Sequence, residues 1–158
     1  MREVILLLTV IAATLVVASG VALAVSTQGG PRNDVVLGTD GSDHLGGGVG
    51  SDTIIGSGGN DFMWGNMGSD RIVGGTGNDI LLDGESAGGA YDILIGGAGN
   101  DFLWPRNTPA GQDLTLCGAG MDVAHVDNAD IVIGCEMKWV RDPTNAEVNE
   151  YFKQRGLD

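Results

Sequence analysis

From Gly38 onward the chain repeats one order of apolar and polar positions every nine residues. Reading in nines gives GTDGSDHLG, GGVGSDTII, GSGGNDFMW, GNMGSDRIV and GGTGNDILL, then DGESAGGAYDILI with four extra residues, then GGAGNDFLW back in register. Gly holds positions one and four of the uninterrupted units, and Asp holds position six. A large apolar residue holds position eight: Leu45, Ile54, Met63, Ile72, Leu81, Leu94 and Leu103. The Gly-rich part of each unit suits a sharp turn, because glycine reaches positive φ without steric penalty. The residues after each Asp are mostly apolar or β-branched and suit a short strand. Side chains alternate along a strand, so position eight faces one way and positions seven and nine the other. One nine-residue unit cannot bury its apolar face, whereas a stack of units forms a continuous core, so the pattern predicts an all-β solenoid. A low-complexity Gly/Asp linker would not keep an apolar residue two positions after every Asp.

Charge sharpens this picture. The net charge is -13, and from Asp34 to Trp104 ten aspartates and Glu85 face a single basic residue, Arg71. Such a chain repels nucleic acid and anionic membrane surfaces. Crowded carboxylates with so little counter-charge destabilise a compact state, so a cation from outside the chain is expected to neutralise them.

The units at 47–55, 74–82 and 96–104 fit G-G-x-G-x-D-x-U-x at every defined position, and the stretch Gly38 to Trp104 resembles the repeats-in-toxin (RTX) nonapeptide family. That resemblance implies a parallel β-roll with two nonapeptides per turn and calcium held between loops one turn apart. It places Asp43, Asp61, Asp79 and Asp101 in one column and Asp52, Asp70 and Asp92 in the other, with Asp122 as a further ligand candidate. Calcium takes oxygen ligands from carboxylates and carbonyls, which suits this composition. Folding and calcium binding are expected to be one coupled event, as in other small metal-dependent domains. Thr39, Ser57 and Asn66 replace the second Gly and are expected to matter little. The insertion at Ser86–Gly89 precedes Asp92, where Asp83 or Glu85 offers a substitute oxygen.

The ends read differently. Residues 1–24 form a secretory signal, with Arg2, an apolar run from Val4 to Val25 and the Ala22-Leu23-Ala24 cleavage pattern. An uncleaved anchor, the chain's one route to a membrane, is the rival reading. Residues 25–37 read as a linker, 38–104 as the repeats, 105–135 as degenerate terminal repeats and 136–158 as a capping tail. In an exported protein Cys117 and Cys135 suggest a disulfide. In a β-roll they would also sit one turn apart, and two free buried thiols are the alternative. Asp142-Pro143 predicts the start of a short C-terminal helix carrying Val148, Tyr151 and Phe152 on one side.

Positions seven and nine of one column are Phe62 and Trp64, Ile80 and Leu82, and Phe102 and Trp104, an outward apolar ladder. Either the tail covers it through Trp139, Tyr151 and Phe152, or it is a face for self-association or a cell-surface partner. The two histidines, His44 and His125, lack a zinc spacing, His44 is read as a solvated surface residue, and no nucleophile–base constellation is present. The sequence therefore points to a secreted, non-enzymatic calcium-binding module with a structural or interaction role. A surface adhesin or surface-layer component is the runner-up, and a haemolysin-like effector the third reading.

Overall fold

The structure, a computed structural model, describes residues 24–84, 90–105 and 111–140. Thirteen short strands follow one another along the chain: β1 (Ser26–Gln28), β2 (Val35–Leu37), β3 (His44–Val49), β4 (Thr53–Gly58), β5 (Phe62–Met67), β6 (Arg71–Thr76), β7 (Ile80–Leu82), β8 (Ile93–Ala98), β9 (Phe102–Trp104), β10 (Leu114–Ala119), β11 (Val123–His125), β12 (Ile131–Ile133) and β13 (Met137–Trp139). Odd strands form one parallel sheet in the order β1-β3-β5-β7-β9-β11-β13, and even strands form the facing sheet, β12-β10-β8-β6-β4-β2. The result is an all-β parallel solenoid of about six turns, with no helix among the described residues. None of them forms a helix long and apolar enough to cross a membrane. The apolar N-terminal run and the helix expected after Asp142 lie outside the described residues.

The core is built from position eight, joined at the C-terminal end by Cys117 and Val126. In one sheet Leu45 pairs in register with Met63, then Leu81, Leu103 and Ala124. In the other Val36 pairs with Ile54, then Ile72, Leu94, Thr115 and Val132. From Leu45 to Leu103 these side chains are completely buried, and the side chains at positions seven and nine beside them are only half-buried or exposed, with Gly46, which has none, buried beneath Trp64. At the C-terminal end the core thins to Thr115 and Ala124, both completely buried.

The roll is longer than the repeat pattern predicts. Residues 25–37, expected as a linker, contribute β1 and β2 and pair with β3 and β4. Gly29–Leu37 is a nonapeptide with Asp34 at position six and Val36 at position eight, disguised by Arg32 where the other units have Gly. At the far end β13 extends the roll to Trp139, into the stretch read as a tail. The insertion and the terminal units lengthen or shorten individual turns without changing which strands pair.

Candidate metal centres

Position six builds a polar spine along each edge of the roll. The backbone N–H of each Asp donates to Oδ1 of the Asp one turn later: Asp43 to Asp61 at 2.8 Å, Asp61 to Asp79 at 2.8 Å, Asp79 to Asp101 at 2.9 Å and Asp101 to Asp122 at 2.8 Å. On the other edge Asp34 donates to Asp52, Asp52 to Asp70, Asp70 to Asp92 and Asp92 to Asp113. The two columns expected from the sequence are thus brought together as expected, and each continues further. Asp113 N–H reaches Asp130 Oδ1 at 3.1 Å, and Asp122 N–H reaches Glu136 Oε2 at 2.8 Å.

The second carboxylate oxygen separates these aspartates into two kinds. In Asp52, Asp61, Asp70, Asp79, Asp92, Asp101 and Asp122 it is buried with no hydrogen-bond partner. In Asp43 it accepts from Thr39 N–H at 2.5 Å, in Asp34 from Gly30 N–H at 2.6 Å, and in Asp130 from Asp127 N–H at 2.8 Å. Asp43 therefore differs from the other predicted ligands, since its second oxygen is already taken by the Thr39 N–H, with the Thr39 hydroxyl 3.1 Å away. A buried carboxylate oxygen without a partner carries an uncompensated desolvation cost. Seven in regular array point to a ligand that binds oxygen.

In Asp52, Asp61, Asp70, Asp79 and Asp101 the bare oxygen faces the position-one glycine of its own unit. A methyl group on Gly47 would lie 2.5 Å from Asp52 Oδ2 and 2.7 Å from the carbonyl oxygen of Gly65, one turn on. Gly56, Gly65, Gly74 and Gly96 are hemmed in the same way, between the Oδ2 of Asp61, Asp70, Asp79 and Asp101 and a carbonyl of the next turn. A side chain there would fill the cradle, so Gly at position one keeps carboxylate and carbonyl oxygens facing each other. The donor set is all oxygen, neutral carbonyls with anionic carboxylates, which is the set calcium takes. The residues fit the ion.

Burial raises the carboxyls, with neighbouring carboxylates adding to the effect. Asp70, Asp79 and Asp101 are pushed up to about 6, and Asp92, beside both Asp113 and Asp70, to about 7. Asp61 and Asp122 are raised as well, again chiefly by burial. The N–H of the preceding turn opposes the rise in each case.

Position five was not singled out from the sequence, although every uninterrupted unit carries Ser or Asn there. Asn60 Oδ1 accepts from Asn78 N–H at 2.8 Å, and Asn78 Oδ1 from Asn100 N–H at 2.8 Å. This second ladder runs opposite to that of the aspartates. Position two carries strain that the sequence reading discounts: Ser57 (φ 85°) and Asn66 (φ 76°) take the left-handed conformation held elsewhere by Gly75 and Gly97.

Cys117 and Cys135 form a disulfide, Cα–Cα 5.1 Å, that ties the turns of β10 and β12 together. The outward ladder is half-buried at Phe62, Trp64, Leu82, Phe102 and Trp104, and 39% exposed at Ile80. Phe62 and Trp64 ring centroids lie 5.4 Å apart, and Trp104 and His125 meet at 4.8 Å with their rings tilted by 40°. Trp139, expected to cover this ladder, instead pairs with His125 in β13 and extends it. His44 is exposed beside Phe62, as expected. Glu85, Tyr151 and Phe152 lie outside the described residues.

Comparison with known proteins agrees with this geometry. The RTX calcium-binding nonapeptide repeat, in four copies, matches residues 28–63, 46–81 and 86–105. No curated protein and no solved structure matches the chain.

Proposed function

Because this chain carries RTX calcium-binding nonapeptide repeats, we propose that it is an exported, non-enzymatic module whose roll forms as calcium binds, and whose role is structural or interactive. One observation carries the reading: the row of seven buried Asp oxygens without partners, five of them, in Asp52, Asp61, Asp70, Asp79 and Asp101, facing a backbone carbonyl of the adjoining turn. When bound, calcium supplies the positive charge that this row lacks. The aspartates hold the loops in register through Oδ1 and offer Oδ2, and the position-one glycines keep the cradle clear. The ligand set runs from Asp52 to Asp122, with Asp34, Asp43 and Asp130 serving as backbone acceptors at its margins. Several ions are expected, bound cooperatively because each Asp belongs to two adjoining turns.

The test is a calcium titration of the full chain, followed by far-ultraviolet circular dichroism and calorimetry. A cooperative gain of strand signal with several ions bound, reversed by chelator and not reproduced by magnesium, is the expected result. Magnesium demands a tighter octahedron and gives up its water reluctantly. Strand structure that persists in excess chelator, with no heat of calcium binding, would refute the proposal.

A second reading, an adhesin or surface-layer component, is favoured by the aromatic ladder from Phe62 to Trp139, which widens the apolar face. Calcium-dependent oligomers whose formation is lost in Trp64→Ser would support it.

A further inference from the structure

From Gly29 to Trp104 position one is Gly in every uninterrupted unit, and in the interrupted one it is Asp83. Asp83 occupies the place in its turn that Gly65 holds in the turn before, since its carbonyl oxygen is the one that faces Gly65 and Asp70. At that place a side chain points into the cradle. The side chains of Asp83, Asp92 and Asp113 are completely buried, and each brings a carboxylate oxygen within 4.8 Å of the other two. Asp92 Oδ2 is also one of the buried oxygens with no hydrogen-bond partner. Three carboxylates thus converge where the repeat pattern provides two aspartates and a hydrogen atom.

We propose that Asp83, Asp92 and Asp113 form a three-carboxylate centre for a hard, oxygen-seeking cation, and that it is the tightest calcium site of the roll. The inference rests on the repeats binding calcium, and adds that this chain replaces a glycine by a ligand at one turn. Oxygen-ligand sites gain affinity with the number of charged ligands. A third carboxylate also favours trivalent over divalent ions, because the attraction scales with the product of the charges. The insertion at Ser86–Gly89 follows Asp83 in the same unit, so the departure from glycine and the lengthened loop go together.

The substitution Asp83→Gly restores the residue of the other units and leaves the cradle geometry to its neighbours, so folding is expected to survive it. Asp83→Asn serves as a second variant of nearly equal volume. Both are compared with the wild-type full chain by calorimetric titration with calcium chloride, and by tryptophan-sensitised emission during titration with terbium chloride. Trp104 accepts the Asp83 N–H at 3.1 Å through its carbonyl, which puts an indole donor on the adjacent strand. The expected result is that the first calcium equivalent weakens at least about tenfold in both variants. The early-filling terbium emission is lost, and the remaining isotherm is unchanged. Superimposable isotherms for wild type and both variants, with several ions still bound, would overturn this inference alone. No calcium binding by the wild-type chain would overturn it together with the function proposed above.

Discussion

Thr115→Val is expected to stabilise the protein, against the usual direction of core substitutions. Thr115 stands in the core stack between Leu94 and Val132, is completely buried, and its Oγ1 has no hydrogen-bond partner. Every other member of that stack is an aliphatic residue. A buried hydroxyl left unsatisfied costs about 1–3 kcal/mol relative to water. Valine has the same β-branched shape and the same strand preference, so neither packing volume nor rotamer entropy changes appreciably. The net gain is therefore about 1–2 kcal/mol, a factor of roughly 5–30 in the folded-to-unfolded ratio. Thr115→Ala removes the methyl as well as the hydroxyl and loses the gain to a small cavity, so Val should exceed Ala by about 1–2 kcal/mol. The assay is guanidinium unfolding in saturating calcium, together with hydrogen exchange of the β10 amides. Exchange is needed because a solenoid can open one turn at a time. A fall in stability for Thr115→Val, with calcium binding unchanged, would refute the reasoning by showing that the hydroxyl is engaged.

Two further outcomes follow from the site. The buried aspartates have folded-state values near 6 to 7 against 3.8 ordinarily, so the metal-free roll favours their protonated form. Its stability is highest below about pH 4 and falls as pH rises to about 7, whereas calcium affinity rises over the same window as protons are displaced; circular dichroism of metal-depleted protein at both ends of that range, and calcium titration across it, check the two signs. Ser57→Gly relieves a side chain held at φ 85° and should stabilise the roll by about 1 kcal/mol in a denaturant melt with calcium present. Asn66→Gly should gain less, since Asn tolerates the left-handed region better.

Much of the architecture was legible because the period of nine carries three signals at once: Gly for the turn, Asp for the edge and an apolar residue for the core. Where one signal was missing the reading stopped short. Arg32 in place of Gly hid the first unit, although Asp34 and Val36 kept their places. Asp113 was missed because Thr115 stands two residues after it where the units up to Trp104 carry a large apolar residue, and Glu136 because the last turn is short. The burial of one Asp oxygen could be guessed from spacing. That the other oxygen accepts an N–H from the preceding turn could not, because the bond exists only after stacking. Asp83 was legible as a substitute oxygen beside the insertion, but its company of both Asp92 and Asp113 emerges only when register places the three together.

The two spines of Asp carboxylates run along the axis of the stack, as do the backbone bonds within each sheet. Tension applied at the ends of the roll therefore loads its coils in series, and the weakest joint opens first. Each standard coil holds 18 residues and would pay out about 55–60 Å of chain on opening, against the ~4.8 Å it occupied along the axis. Such a body lengthens in steps of one coil. The Cys117–Cys135 bridge closes the joint between β10 and β12 covalently, so the stretch between these two cysteines is withheld from extension until the bond is reduced.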